Sequence, residues 1–326
     1  MERNMDIKKL LSKHATAVIL IAMCLLITIL RPKFLAPNNL ISVLSSACVY
    51  GCMALGATFI LISGGIDLAA GSEVAFAGVA GALFGQVAFS GKILASLPEL
   101  PFIVPVLITL LAGACIGVIN GLLIAYFNTP PFIITLGMTT VVRGFTLLLT
   151  GGEPVSNLSS GYSVLGGKIL SFIPISVIIF IALIILAHIL LKRTQFGYDT
   201  YAIGSNVEAA RVSGVKVPAT LVKIYGFAGL MYAFAGLIMT SRAVSIHPGA
   251  AVGYELTAIA GCVIGGVSPS GGVGTIGNTV IGTLVISVLR NGLTLLGVDS
   301  YWQQIAEGLV IVIAVAIDVR RSKGTK

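Results

Sequence analysis

Glu73, Arg143, Lys223, Arg290 and Glu307 stand in or close to long apolar runs. A charge at the centre of a bilayer costs about 2.5–3.5 kcal/mol on insertion scales, so each needs a reason to be there. Lys223 is near enough to the end of its run to snorkel. Arg290 and Glu307 fall towards the same side of neighbouring runs and can pair. Glu73 opens its run, where a carboxylate favours the free N–H groups and dipole of a helix start. Asp67 just upstream can cap or bend that segment. Arg143 lies well inside its run and faces either a partner or a water-filled path. These charges are few and scattered, which is not the pattern of a proton relay and argues against ion-coupled transport, sodium held on backbone carbonyls excepted.

Enzymatic chemistry finds no constellation. His14, His188 and His247 are far apart, and Cys24, Cys48, Cys52, Cys115 and Cys262 all fall in apolar stretches with no CxxC pair. Buried free thiols and no metal site are the reading. The GGEP and SPSGG segments lack the Lys and Ser/Thr of a phosphate-binding GxxxxGK[ST] loop, so ATP, if it drives this chain, is hydrolysed by a separate subunit.

The elements that must position these residues are membrane spans. Of 326 residues 56% are apolar and 10% charged, with a mean hydropathy of +1.03; a soluble surface needs about 25% charged residues. Continuous apolar runs exclude a β-barrel, whose strands alternate. The first run lacks a small-residue cleavage site after it, so it is read as a span and not as a signal peptide. Spans of about 20 residues are expected near 15–30, 40–62, 71–89, 102–126, 132–149, 172–191, 218–240, 255–268, 273–290 and 301–318, giving an all-α integral membrane protein of about ten transmembrane helices in a single domain, 1–326. The net charge of +8 sits at span ends and marks lipid-facing topology, not a nucleic-acid partner. With the N-terminus inside, Arg3, Lys8, Lys9, Lys13, Lys192, Arg193, Arg211, Lys216, Arg320, Arg321, Lys323 and Lys326 are inside, against Arg31, Lys33, Lys92, Lys168 and Arg242 outside. That bias puts both termini in the cytoplasm.

Glycine marks two kinds of place. Gly113, Gly117 and Gly121 stand four apart, as do Gly81 and Gly85, a spacing that lets helix backbones approach. Breaks fall at Ser63-Gly64-Gly65-Ile66-Asp67, at Asn128-Thr129-Pro130-Pro131, and at Gly265-Gly266-Val267-Ser268-Pro269. Such backbone is admissible at membrane depth only where protein or a wet cavity satisfies it; the same segments also suit tight loops at the interface. Asn120-Gly121 and Asn291-Gly292 end runs of opposite orientation, which suits an inverted repeat. The only long polar segment between the termini is 192–217, basic at both ends, read as a cytoplasmic loop carrying a short amphipathic helix.

The chain resembles the membrane permease subunit of bacterial ATP-binding-cassette importers of the ribose/xylose/arabinose/galactose type over residues 15–320. The likeness rests on Ile62-Ser63-Gly64-Gly65-Ile66-Asp67-Leu68, Asn120-Gly121, Pro130-Pro131-Phe132-Ile133, Arg143-Gly144, Tyr201-Ala202-Ile203-Gly204-Ser205-Asn206-Val207-Glu208-Ala209-Ala210-Arg211, Gly253-Tyr254-Glu255, Gly265-Gly266 and Tyr301-Trp302-Gln303-Gln304. The resemblance implies a fold like that of the vitamin B12-type permeases in the bacterial inner membrane, a homodimer or heterodimer with a second permease, a tandem nucleotide-binding ATPase holding ATP and Mg, and an extracytoplasmic sugar-binding protein. It implies import of a monosaccharide, a ribose- or allose-like pentose or hexose, with nucleoside or autoinducer-2 as alternatives and an ion-coupled secondary transporter as the competing class. Ala69 and Ala70 stand where the family usually has Ser and Val, and Pro269 stiffens a loop that is usually LSGG.

The loop 192–217 is then expected to contain the coupling helix, with Asn206, Glu208, Ala209, Ala210, Arg211 and Gly214 in it and both alanines packing into the ATPase. A neutral sugar needs hydrogen-bond partners and a stacking surface along its way. Asn120, Phe132, Asn278 and Asn291, with Thr135, are the candidates, and Arg143 is assigned a structural role. The asparagines also suit plain helix packing.

Overall fold

The computed structural model of the protein describes residues 15–88, 91, 93–94, 96–127, 129–169 and 173–323. Arg3, Lys8, Lys9, Lys13, His14, Lys92, Asn128 and Lys326 lie outside them. Helix α1 (Ala15–Leu30) leads through a 3-10 turn to α2 (Pro37–Ile62), α3 (Ala70–Phe84), α4 (Ile103–Phe127) and α5 (Pro131–Thr150). A short α6 (Ser160–Leu165) and the hairpin β1 (Lys168–Ile169) with β2 (Ile173–Pro174) precede α7 (Ile175–Arg193). Then come α8 (Gln195–Ser205), α9 (Val207–Val212), α10 (Val217–Ala243), α11 (Tyr254–Ile264), α12 (Ile276–Leu295) and α13 (Ser300–Lys323). The starts follow local chemistry. Proline stands in the first turn of α2, α5 and α10, where its missing N–H costs nothing. The side chains of Thr194, Asn206 and Thr275 accept from backbone N–H groups and cap α8, α9 and α12.

Helices occur at every expected position, but the expectation of about ten membrane crossings is corrected. Among the described residues six helices, α2, α4, α5, α7, α10 and α12, are long and apolar enough to cross a membrane. The vitamin B12-type architecture of about ten spans, which the resemblance implied, is corrected with that expectation. Length is the physical reason for three of the four lost crossings: the breaks leave α3 with 15 residues and α11 with 11, and α1 has 16. At about 1.5 Å per residue none of the three reaches across a hydrocarbon core of about 30 Å.

Helices α2 and α10 form the centre, with 72% and 61% of their apolar windows buried, while α5 at 17% lies on the periphery. Glycine permits the central packing of α4 on α10. A methyl group on Gly113, Gly117 or Gly121 would come within 2.5 Å of Gly229 O, 2.2 Å of Tyr225 O or 2.7 Å of the Val222 Cα. Gly81 likewise abuts Pro105 O on α4. The first break is held inside the protein. Thr135 and Thr139, one turn apart on α5, donate to Ile66 O at 3.3 Å and Leu68 O at 2.7 Å, and Asp67 accepts from Ala69 N at 2.8 Å. Protein groups thus take over hydrogen bonds that the helices no longer make. The two Asn-Gly pairs sit in unlike environments, Asn120 wholly buried and Asn291 half-buried, so their likeness does not carry an inverted repeat.

Candidate functional site

Cavities open at two opposite ends of the helices. One adjoins the polar segment 192–217. There, α8 ends in a backbone wedge: a methyl group on Gly204 would lie 1.7 Å from Ile62 O and 2.7 Å from Gly272 N. Gly272 N donates to Ile62 O at 2.8 Å, and the Tyr201 hydroxyl donates to Gly274 O at 2.6 Å. Burial raises the Tyr201 hydroxyl above its ordinary pKa and keeps it a donor. The structure therefore joins the polar segment to the break after α2 and to the Gly271–Gly272 turn, whose φ angles of +89° and +73° require glycine. Gly64, Gly65, Pro130 and Pro131 line a cavity of about 640 Å³ with Asn206 and Arg211. Pro269 lies in the turn before Gly271. Gly265 packs its backbone on Asn278 O, and Gly266 turns the chain at φ +85°.

Within α9, the expectation for Ala210 is corrected. Its side chain is 4% exposed and packs with Ile203 and Val217 of its own chain. A six-residue helix has one inner face, and those two neighbours claim Ala210 for it. Ala209, Glu208 and Arg211 face outward, the last two as an exposed ion pair at 2.9 Å. The exposed large apolar side chains of α9 are Val207 and Val212, the latter 89% exposed. Gly214, at φ +89°, ends the unit.

The opposite, distal end holds a site that no sequence motif announced. Tyr50 of α2 and Tyr254 of α11 meet with ring centroids 4.8 Å apart. The Arg290 guanidinium of α12 lies 5.2 Å from one ring and 5.7 Å from the other. Arg290 also donates to the Tyr50 hydroxyl and pairs with Glu307 of α13 at 2.7 Å. Two adjoining cavities of about 310 and 340 Å³ share Ser46, Tyr50 and Tyr254, a size typical of small-molecule sites. Arg242 lines one, and Ser42, Ser287, Asn291, Thr294 and Gln303 line the other. Aromatic faces beside hydroxyl, amide and guanidinium groups suit a polyhydroxylated ring with one apolar face.

The path candidates are dispersed. Asn291 lines the distal pocket, though its amide is engaged with Asn39 by reciprocal bonds of 3.0 and 2.8 Å. Asn120 is fully buried and donates to Glu73 at 2.7 Å. Thr135 holds the first break, and Asn278 is exposed in the first turn of α12. Phe132 is 50% exposed at the start of the peripheral α5. Arg143 donates to Pro248 O at 2.6 Å and Ala250 O at 2.9 Å. Sequence reasoning missed Tyr50, Tyr254 and Gln303; the one available signal was the placement of Tyr254 and Gln303 within resemblance segments.

A family model described as "Branched-chain amino acid transport system / permease component" matches residues 39–315. The galactose/methyl galactoside import permease protein MglC of Escherichia coli is 40% identical, over 92% of this chain and 92% of its own. The ribose import permease protein RbsC of Bacillus subtilis is 41% identical, over 93% of this chain and 91% of its own. The ribose import permease protein RbsC of Haemophilus influenzae is 34% identical, over 97% and 95%. No solved structure matches.

Proposed function

The chain belongs to the family of membrane permease components described for the branched-chain amino acid transport system, and on that premise we propose that it is the permease of an ATP-driven importer of a monosaccharide. The observation that carries this reading is likeness of 40–41% over nine-tenths of the chain to permeases for galactose and for ribose. The chain is a multi-pass membrane protein and a transport component, and hydrolysis belongs to another subunit. Two permeases, a nucleotide-binding ATPase and an extracytoplasmic sugar-binding protein make up the assembly we propose. The segment 192–217, carrying Lys192, Arg193, Arg211 and Lys216, faces the cytoplasm by the positive-inside rule. Helix α9 is its coupling helix, docking through Val207, Glu208, Ala209 and Val212. The distal pocket then faces outward and receives the sugar, with Tyr254 as the stacking surface.

The test is uptake in proteoliposomes holding the permease with its nucleotide-binding ATPase and its sugar-binding protein. Labelled galactose and ribose are offered in competition with a panel of other sugars. Uptake of one monosaccharide that needs enclosed ATP supports the reading. Uptake driven by an ion gradient without ATP would overturn it.

A further inference from the structure

We propose that Glu73, with Ser72, Asn120, Tyr225 and Tyr232, holds a monovalent metal cation of the sodium class between α3, α4 and α10. Glu73 and Asn120 are 0% exposed, as is Tyr232, and Ser72 and Tyr225 are 1% exposed. Asn120 Nδ2 donates to Glu73 Oε1 at 2.7 Å. That leaves Glu73 Oε2, Asn120 Oδ1, Ser72 Oγ and both tyrosine hydroxyls buried without a hydrogen-bond partner among the described residues. A buried polar atom left unpaired costs about 1–3 kcal/mol, so five on three mutually packed helices call for something that satisfies them.

They stand on three helices that pack against one another, α3, α4 and α10. The Asn120–Glu73 bond joins the first two of these side chains, and Ser72 is the residue before Glu73 on α3. Tyr225 and Tyr232 each interact electrostatically with Asp67 and with Glu73. The Tyr232 hydroxyl faces the Asp67 carboxylate, and the Tyr225 hydroxyl lies 2.8 Å from where a methyl group on Gly65 would sit. The only other carboxylate nearby is Glu255, packed against Gly71.

No basic side chain answers the charge. The ion pairs among the described residues are Arg211–Glu208 and Arg290–Glu307, and Arg143 is turned to the carbonyls of Pro248 and Ala250. Every orphan is an oxygen, the donor type of hard cations. Among the proposed ligands Glu73 is the one carboxylate and the others are neutral oxygens, which suits a single positive charge. A divalent ion would want more, and no group of three His, Cys, Asp or Glu among the described residues could hold one. Gly64, Gly65 and Tyr225 line the cavity beside α9, which gives an ion a route from that end. The ion would tie the first break to α4 and α10. Its role is to fix geometry, and the inference is independent of what drives transport.

The experiment is thermal unfolding of the purified full-length protein in lipid nanodiscs, titrated with sodium chloride against choline chloride at constant ionic strength. The expected result is a saturable, sodium-dependent rise in Tm. Tyr232→Phe, which removes one ligand, raises the half-saturating sodium concentration about tenfold. Glu73→Gln abolishes the rise. A wild-type Tm indifferent to the exchange of sodium for choline overturns the proposal. So does a Tm that responds to acid alone, which would assign the oxygens to a proton, and so does an unchanged sodium response in Glu73→Gln. Should Glu73→Gln fail to fold, the wild-type and Tyr232→Phe titrations decide.

Discussion

At the distal end, Tyr50, Tyr254 and Arg290 arrive from three helices and meet through side chains. At the α9 end, Ile62, Gly204 and Gly272 meet through backbone atoms. The first arrangement can be re-cut by evolution one side chain at a time, which suits a place where the solute is met. The second has no side chain to adjust. A backbone wedge transmits displacement without the slack of rotatable bonds, which suits a place where a partner's movement enters the bundle. The galactose and ribose permeases among the relatives fit this division: substrates differ while the chain remains alignable along nine-tenths of its length.

The largest effect should come from the wedge. Gly204→Val puts side-chain atoms where a Cβ alone would be 1.7 Å from Ile62 O. The contact is backbone on both sides and cannot rotate away, so a loss of about 3 kcal/mol is expected, at the upper end of overpacking costs. The readout is Tm of the purified protein together with its yield from membranes. A folded variant with wild-type Tm and full transport would break the distinction between the two ends.

Next in size is the distal ion pair. The side chains of Arg290 and Glu307 are 25% and 10% exposed. Arg290→Met leaves a largely buried carboxylate unpaired, and about 2–3 kcal/mol of stability should go with it, somewhat below the cost for a fully buried pair. Adding Glu307→Leu should restore most of the Tm, because an apolar pair of similar volume is tolerated there. Transport should stay low in the double variant, since the donor to the Tyr50 hydroxyl is still missing. Transport that recovers with stability would reduce Arg290 to a packing residue.

The two ends also differ in how well they could be read. The α9 segment is polar in an apolar chain, and its turn glycines and capping Asn206 carry local signals, so its position was legible from sequence. The facing of Ala210 was not, because Ile203 and Val217 decide it from flanking elements. The stripe of Gly113, Gly117 and Gly121 pointed to close packing without naming α10 as its partner. In the distal pocket the Arg290–Glu307 pair and Asn291 were legible, and the aromatic pair was not. Tyr50 and Arg290 are 240 residues apart in sequence and share no motif with each other or with Tyr254, and only the packing of α2, α11 and α12 brings the three together. The crossing count failed for a related reason: hydropathy registers an apolar run, whereas the breaks that shorten α3 and α11 are decided by where glycine, Asp67 and the α5 threonines hold the backbone.

A smaller effect is expected at Tyr254. Its side chain meets that of Tyr50 in a tilted ring pair, worth about 0.5–1.5 kcal/mol. Tyr254→Phe should keep the stacking face and most of the transport rate. Tyr254→Ala should lower transport by about tenfold at unchanged membrane abundance, the loss of about 1.4 kcal/mol of stacking. Equal rates in both variants would remove the aromatic face from the sugar's route and leave the distal pocket as packing.

The smallest effect separates surface charge from surface shape on α9. Glu208 and Arg211 form an exposed pair with side chains 70% and 59% accessible, and such pairs contribute about 0–1 kcal/mol. Arg211→Ala should leave Tm within error of wild type. If α9 docks through its apolar side chains, the same variant should also keep most of its ATP-driven uptake. Val212, 89% exposed, supplies the contrast: Val212→Asp should be equally silent in the isolated permease, because the side chain touches little of its own chain. In the assembled transporter it should cut ATP-driven uptake sharply, since a carboxylate would then be buried against the partner without a counter-charge. The pair of variants is informative because neither disturbs the fold, so any difference arises at the contact. Uptake lost with Arg211→Ala and kept with Val212→Asp would reverse the assignment and make α9 an electrostatic contact.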